Sequence, residues 1–184
     1  MPITKELIKE YKKDKSVYFE TGTWEGGGVQ LALDTGFETV YSVEIDDSLY
    51  NSCQSRFNNH KEAVFLALGS SANVLEDISS VQSGHPLNNE SCFIYLDAHP
   101  MCDLGEVPLI AELKAISKLK RNDHTIIIDD FRLIRDAGAW GKCFEGKDMK
   151  KELNELLLVI NKNYQISYHA DGWDEEDLIV ATLD

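Results

Sequence analysis

Two neighbouring stretches decide the fold: Val17-Tyr-Phe-Glu-Thr-Gly-Thr-Trp-Glu-Gly-Gly-Gly28, and then Thr39-Val-Tyr-Ser-Val-Glu-Ile-Asp46. In the first, β-branched and aromatic residues typical of a strand stop at a glycine-rich turn. The second is another apolar run, and it ends on acids. Glycine lets the backbone approach a ligand closely, and the Glu44 carboxylate is placed to accept hydrogen bonds from ribose hydroxyls. The two stretches together predict a nucleotide-binding half-site.

Strand-like and helix-like segments alternate outward from this half-site. Runs rich in Val, Ile, Tyr and Phe predict strands at 16–20, 39–45, 63–68, 92–96 and 125–128. Helical spacing of apolar residues predicts helices at 29–33, 48–58, 72–81 and 107–119. Strands that alternate with helices form a parallel sheet covered on both faces. We therefore expect an α/β layer fold.

The end of the chain departs from this alternation. A helix is predicted at about 148–161, followed by strands at 164–169 and 178–183. The link at 170–177 is too short for a crossover helix, so the last two strands should pair antiparallel. The segment 132–147 contains three glycines and has weak periodicity. We interpret it as a loop or lid over the carboxyl edge of the sheet.

Composition narrows the class of protein. A chain of 184 residues with 43% hydrophobic and 27% charged residues predicts one globular domain, 1–184. Its net charge of -14, with Lys and Arg scattered among acids, argues against a nucleic-acid partner. Nothing in the sequence indicates a membrane partner, and the oligomeric state is not readable. The cysteines lack zinc-site spacing and indicate reduced thiols in a cytoplasmic protein: Cys53, Cys92, Cys102 and Cys143.

Acidic or small polar residues follow all five predicted parallel strands. They lie at 20–22, 44–46, 69–71, 97–99 and 129–130. Ligands of open α/β sheets bind at the carboxyl ends of the strands. Any one acid there could be a helix cap. Several carboxylates on one rim repel each other, however, and indicate cations or ligand hydroxyls as their partners.

This ordered set of residues resembles the class I S-adenosylmethionine-dependent methyltransferases, over nearly the whole chain from Ser16 onward. The resemblance implies their Rossmann-like fold, a mostly parallel seven-stranded sheet with a C-terminal antiparallel hairpin and helices on both faces. It also implies S-adenosylmethionine as cofactor, with binding residues in three turns. These are Glu20, Thr21, Gly22, Thr23, Trp24 and Gly26 in the first motif, Glu44 and Ile45 at the ribose, and Gly69, Ser70 and Ser71 beside the adenine. Trp24 departs from the family pattern, which often has glycine there.

The sequence disfavours two other nucleotide-binding classes. The nicotinamide fingerprint Gly-x-Gly-x-x-Gly fits no register. If it began at Gly22, Trp24 would stand in place of its second glycine, and if it began at Gly26, Leu31 would stand in place of its third. No Gly-Lys-Ser or Gly-Lys-Thr occurs, so a P-loop is absent from the sequence.

Three acids at the ends of strands four and five form a candidate metal site: Asp97, Asp129 and Asp130. Carboxylate oxygens suit Mg²⁺, or Mn²⁺ or Ca²⁺, better than zinc. The arrangement is similar to that of metal-dependent O-methyltransferases of the catechol and macrolide-sugar types. In the alternative interpretation, Asp97 contacts the amino group of the cofactor, and the other two acids cap the next segment.

The resemblance implies O-methylation of a small-molecule hydroxyl assisted by a divalent cation. Asp97 and His99 are the catalytic candidates, and His99 would act as general base because its pKa is ordinarily near neutrality. A lone histidine is more often an ordinary hydrogen-bonding loop residue, which is the alternative interpretation of His99. The alternative function is a non-catalytic module that binds S-adenosylmethionine or a nucleotide. Three aromatic residues could line the acceptor pocket or serve only in packing: Trp140, Phe144 and Trp173.

Overall fold

The computed structural model describes residues 3–80, 84–98, 108–135, 146–170 and 174–184. The strands are β1 (Val17–Thr21), β2 (Thr39–Glu44), β3 (Val64–Leu68), β4 (Phe93–Leu96), β5 (Thr125–Ile128), β6 (Gln165–His169) and β7 (Leu178–Thr182). The α-helices are α1 (Lys5–Lys12), α2 (Gly27–Asp34), α3 (Asp47–Arg56), α4 (Ser71–Ser80), α5 (Pro86–Asn89), α6 (Pro108–Ile116), α7 (Phe131–Arg135) and α8 (Met149–Ile160). A 3₁₀ turn spans Asn58–His60.

The strands form one seven-stranded sheet in the order β3-β2-β1-β4-β5-β7-β6. β1 to β5 are parallel, whereas β7 runs antiparallel to both β5 and β6. The predicted parallel sheet and closing hairpin are therefore confirmed. The strand order reverses between β1 and β4, which is where open α/β sheets bind their ligands.

Two apolar layers sandwich the sheet. One face packs against α4, α6, α7 and α8, with Leu75, Leu113, Phe131 and Leu153 fully buried or nearly so. The other face packs against α1, α2 and α3. The central strands β1, β4 and β5 are buried along their whole length. None of the helices in the described ranges is long and apolar enough to cross a membrane.

Local capping explains where several helices begin. The side chain of Asp46 accepts a hydrogen bond from the backbone N of Leu49 and starts α3, and Asp148 does the same for Lys151 and α8. Thr4 caps α1 through the backbone N of Leu7, although the sequence analysis assigned no helix there.

The prediction of a loop throughout 132–147 is wrong at its start. Residues 132–135 belong to α7, whose first turn is capped by a distant acid. The Asp177 carbonyl accepts from the backbone N of Phe131, and its carboxylate accepts from the backbone N of Arg132. Sequence periodicity could not predict this helix, because the residue that caps it, Asp177, is 45 positions away from Arg132 in the sequence. Residues 136–145 lie outside the described ranges.

Candidate active site

The turn after β1 is shaped by glycines that no other residue could replace without strain. Gly22 has a φ of 82°, and a Cβ built on it would lie 2.5 Å from the carbonyl oxygen of Asp97 after β4. Gly26 has a φ of 80° and packs against the Phe57 ring. The missing side chain of Gly22 thus lets the turns after β1 and β4 meet closely at the reversal point of the sheet.

Glu44 at the end of β2 organises this turn through its carboxylate. Oε2 accepts from the backbone N of Trp24 at 2.8 Å. Oε1 accepts from the backbone N of Ile45 and of Asp46, both at 2.9 Å. Each carboxylate oxygen has more than one lone pair, so Glu44 retains acceptor capacity toward a ligand hydroxyl. Its predicted position as ribose acceptor is therefore geometrically feasible.

Trp24 holds the middle position of the turn in a left-handed conformation, with a φ of 50°. Its backbone carbonyl accepts from the Cys53 thiol at 3.2 Å, while its side chain is 67% exposed. Ile45 is 56% exposed and Leu68, at the end of β3, is 48% exposed. Large apolar side chains are therefore left uncovered at the ends of the first three strands.

Glu20 lies beneath the same turn and is almost fully buried. Its carboxylate accepts from the Tyr18 hydroxyl at 3.0 Å and from the Ser42 hydroxyl at 2.7 Å. Ser42 Oγ is also 2.5 Å from Thr23 Oγ1. Burial raises the pKa of Glu20 to about 7, although both hydroxyls favour the carboxylate.

This raised pKa makes stability depend on pH in a defined direction. The pKa of Glu20 in the folded protein exceeds that in the unfolded chain. Its contribution to the free energy of unfolding is therefore full below about pH 4.5 and is lost as the pH rises through about 7. Between pH 4.5 and 8 we expect the unfolding free energy of Glu20→Gln to gain about 3 kcal/mol relative to wild type.

Urea unfolding across this pH range would measure the difference. Glu38→Gln, an exposed position at the other end of the β2 region, is the matched control and should follow wild type. A pH-independent difference between Glu20→Gln and wild type would contradict the prediction.

The turn after β3 contains the predicted adenine-side residues. Gly69 has a φ of 148°, and its backbone N donates to the Glu44 carbonyl at 2.8 Å. Ser71, the first residue of α4, is buried and donates a short hydrogen bond to Glu112 of α6. The turn is thus tied to β2 through its backbone and to α6 through a side chain.

The ends of β4 and β5 bring the predicted acidic residues together. The Tyr95 hydroxyl donates a short hydrogen bond to Asp129 Oδ2 and is also a hydrogen-bond partner of Asp97. The backbone N of Asp130 donates to Asp129 Oδ1 at 2.7 Å. Burial, and then the charges of Asp129, Asp130 and Glu20, raise the pKa of Asp97 well above its usual range.

A fourth acid and an arginine complete this corner. One carboxylate oxygen from each of Asp129, Asp130 and Asp177 lies within 4.8 Å of the others. Arg132 Nη1 is 2.9 Å from Asp130 Oδ1 and makes a short contact with Asp177 Oδ2. The guanidinium therefore balances charge on Asp130 and Asp177.

The chemistry of the donor set fits a hard divalent cation. Asp97, Asp129 and Asp130 offer only carboxylate oxygens, and burial, followed by repulsion from the other two acids, raises the pKa of Asp97. A cation would relieve this repulsion, in part by competing with Arg132 for Asp130. Of the three residues named from the sequence, Asp129 and Asp130 belong to the group of closely spaced carboxylate oxygens, whose third member among the described residues is Asp177. Asp97 adjoins that group through the Tyr95 hydroxyl.

The structure places almost all of the predicted site residues at the carboxyl edge of the sheet. These residues lie in the last positions of β1 to β5 or directly after them: the first-motif residues, Glu44, Ile45, the 69–71 turn and the three aspartates. Four predicted residues lie outside the described ranges: His99, Trp140, Phe144 and Trp173. Their proposed roles remain predictions.

Several functional residues were missed by sequence reasoning. Asp177 directly precedes β7, and β7 runs antiparallel to β5, so the start of β7 lies at the end of β5. Its strand-flanking position could have revealed it, had the insertion of β7 beside β5 been recognised. Tyr95 could have been found from its spacing, because it shares a strand face with Asp97. Glu112 lies three residues after Leu109 and four before Ile116, so its place on the apolar stripe of α6 was a signal that it is buried.

No family model and no curated protein matches this sequence. Solved structures do match its fold. An O-methyltransferase from Bacillus cereus in complex with S-adenosylhomocysteine (SAH) is 16% identical, with a TM-score of 0.64 over 98% of this chain and 78% of that chain. SMU.1697c from Streptococcus mutans, also solved with SAH, is 11% identical, with a TM-score of 0.62 over 98% of both chains. An rRNA methylase from Streptococcus thermophilus is 12% identical, with a TM-score of 0.54 over 98% of this chain and 94% of that chain.

The chain therefore has the Rossmann-like fold of the class I S-adenosylmethionine-dependent methyltransferases. The resemblance stated from the sequence motifs is confirmed at the level of the fold. At these identities the likeness does not select an acceptor, since the similar structures include both an O-methyltransferase and an rRNA methylase.

Proposed function

We propose that this protein is an S-adenosylmethionine-dependent methyltransferase that methylates a hydroxyl of a small molecule with the help of a divalent cation. The observation that carries the proposal is the close backbone approach between the turns after β1 and β4. There Gly22 leaves no room for a side chain, and Glu44 presents a carboxylate beside it. Two of the structures with similar folds were solved with SAH, which supports the choice of cofactor.

The cofactor half of the site binds and orients the methyl donor. Glu44 would accept a hydrogen bond from a ribose hydroxyl through the lone pair of Oε2 that its backbone partners leave available. The exposed side chains of Ile45 and Leu68 would cover the adenine, and Trp24 would cover the exposed side of the bound cofactor. Binding would thus bury apolar surface that the protein otherwise leaves in water.

The cluster of acids after β4 and β5, here called the acidic corner, would bind the acceptor. Asp97, Asp129 and Asp130 are the residues that would bind the cation, which when bound lowers the pKa of the acceptor hydroxyl. The Tyr95 hydroxyl donates a hydrogen bond to the Asp129 carboxylate and holds it in position. The same carboxylate accepts from the backbone N of Asp130. These contacts would keep the acceptor oxygen in line with the methyl carbon, so catalysis would rest on placement. As the oxygen–carbon bond forms, the sulfur–carbon bond of the donor breaks and SAH is released, while the proton of the acceptor hydroxyl would pass to His99, the general base proposed from the sequence.

Calorimetric titration with SAH tests the cofactor assignment. We expect wild type to bind SAH and to show no binding of NAD. SAH at a hundredfold its Kd should raise the free energy of unfolding by roughly 2.7 kcal/mol. In Glu44→Gln the amide presents only one acceptor oxygen to the same donors. Because a hydrogen bond to a charged group contributes about 1.5–3 kcal/mol, the SAH Kd should rise by about 10- to 100-fold.

Glu38→Gln, at the other end of the β2 region, is the control and should bind SAH as wild type does. Absence of SAH binding by wild type would refute the methyltransferase proposal. SAH binding without methyl transfer to any member of a catechol and diol panel would instead favour the non-catalytic binding module.

A further inference from the structure

Glu112 of α6 is a buried carboxyl group that the proposed reaction does not use. Its side chain is almost completely inaccessible to water. Oε1 accepts the short hydrogen bond from the Ser71 hydroxyl, and the Thr21 side chain is its second hydrogen-bond partner. A buried carboxyl group is costly to retain in an apolar helix interface, and its two hydroxyl partners offset part of that cost.

Both partners belong to turns of the proposed cofactor pocket. Thr21 is the last residue of β1 and is fully buried, directly before Gly22. Ser71 opens α4 directly after the 69–70 turn that follows β3. Thr21 reaches a third turn, because its carbonyl and its Oγ1 accept from the backbone N of Asp97 at 3.1 and 3.3 Å. One carboxyl group therefore links the turns after β1 and β3 directly, and the turn after β4 through Thr21.

The hydrogen-bond directions favour the ionised form of Glu112 in this arrangement. Thr21 Oγ1 accepts from the Asp97 backbone, so its own proton is available for the Glu112 carboxylate. Ser71 also donates to it. Burial raises the pKa of Glu112 to about 7, and the two hydroxyls oppose that rise. Among the described residues, these two hydroxyls are the polar groups that act on it from the elements packed against α6, and no charged group contributes to the shift.

We propose that Glu112 is a positioning residue of the cofactor site, whose carboxylate sets the separation between the turns after β1 and β3. This inference rests on the proposed function, because the ligand that would feel the separation is the cofactor. Loss of the carboxylate should therefore weaken SAH binding even where the fold persists.

The test is SAH affinity of Glu112→Gln and wild type by calorimetry from pH 5.5 to 8.5. The variant resembles the protonated acid, so the ratio of its Kd to that of wild type should be about tenfold at pH 8.5 and approach one at pH 5.5. The ratio is the informative quantity because Glu20 titrates in the same range and affects both proteins alike. Glu76→Gln on the exposed face of α4, where Glu76 pairs with Lys118, should keep a ratio of one throughout.

Ser71→Ala removes one hydroxyl partner without touching Glu112 and keeps the test usable should Glu112→Gln fail to fold. Because Ser71 is also a predicted adenine-side residue, only a pH-dependent loss supports the positioning role: SAH binding should weaken more at pH 8.5 than at pH 5.5. An equal loss at both pH values would report a direct contact of Ser71 with the cofactor and would count against that role. A ratio of one at every pH for a folded variant would overturn the positioning role while leaving SAH binding by wild type, and hence the proposed function, intact. Failure of wild type to bind SAH would overturn both.

Discussion

Gly22→Ala is expected to lower the free energy of unfolding by about 3 kcal/mol and to abolish measurable SAH binding. A φ of 82° costs a residue with a Cβ about 1–2 kcal/mol. The new methyl group would also lie 2.5 Å from the Asp97 carbonyl oxygen, which is backbone and cannot rotate away. Overpacking of this kind adds about 1–3 kcal/mol. The turns after β1 and β4 would be forced apart at the proposed cofactor site.

Two other glycines separate these contributions. Gly36 has nearly the same φ, 79°, but a Cβ there meets no atom within 4 Å in the described structure. Gly36→Ala should therefore cost only the backbone strain, about 1–2 kcal/mol. Gly27 in α2 has neither problem, so Gly27→Ala should be neutral or slightly stabilising. Denaturant unfolding measures all three. A loss for Gly22→Ala no larger than that for Gly36→Ala would show that the close approach to Asp97 is not rigid.

Asp129→Asn is expected to reduce methyl transfer at least about 100-fold, with little change in SAH affinity. Loss of one charged oxygen ligand weakens cation binding, and misplacement of the acceptor by about 1 Å is enough to cost 100-fold in rate. Asp129 is buried and is held by Tyr95, so the asparagine should occupy the same place. Stopped assays on the catechol and diol panel measure transfer, and calorimetry measures Mg²⁺ affinity, which should fall together with the rate.

The control is Asp34→Asn, which breaks only the exposed pair with Lys5 and should leave both quantities unchanged. Unchanged Mg²⁺ affinity in the double variant Asp129→Asn, Asp130→Asn would remove the cation from the proposal. In that event Asp97 would be assigned to the cofactor amino group, and the acids after β5 to capping. Retained SAH binding would still support the cofactor half of the site.

Much of the fold was accessible to sequence reasoning because its signals are local. Apolar runs such as 125–128 are buried on both faces and differ in period from the helices beside them. Of the predicted stripe Leu109, Ile110, Leu113 and Ile116 on α6, three residues are buried and Ile110 is partly buried. The short link at 170–177 permits only a hairpin, and the β6–β7 pairing has that form.

The cofactor half of the candidate site was similarly accessible. In a parallel sheet the carboxyl ends of the strands share one edge, so residues that directly follow strands are neighbours without further information. Gly22, Glu44 and the 69–71 turn were found in this way. Their hydrogen bonds to each other, such as that from Gly69 to the Glu44 carbonyl, follow from the same topology.

Sequence by itself determined the strands, their alternation with helices and the acids at the strand ends. Hydrophobic periodicity, and the glycines and acids that end each apolar run, encode these features within a few residues. Only the tertiary structure decided which distant groups meet: Asp177 with Arg132, Tyr95 with Asp129, and Glu112 with Thr21 and Ser71. These contacts form through the insertion of β7 beside β5, the pairing of β4 with β5 and the packing of α6 on α4, respectively for the first pair, the second pair and Glu112 with Ser71. Such contacts span tens of residues in the chain, and the burial that shifts the pKa of Glu112 exists only after that packing has formed.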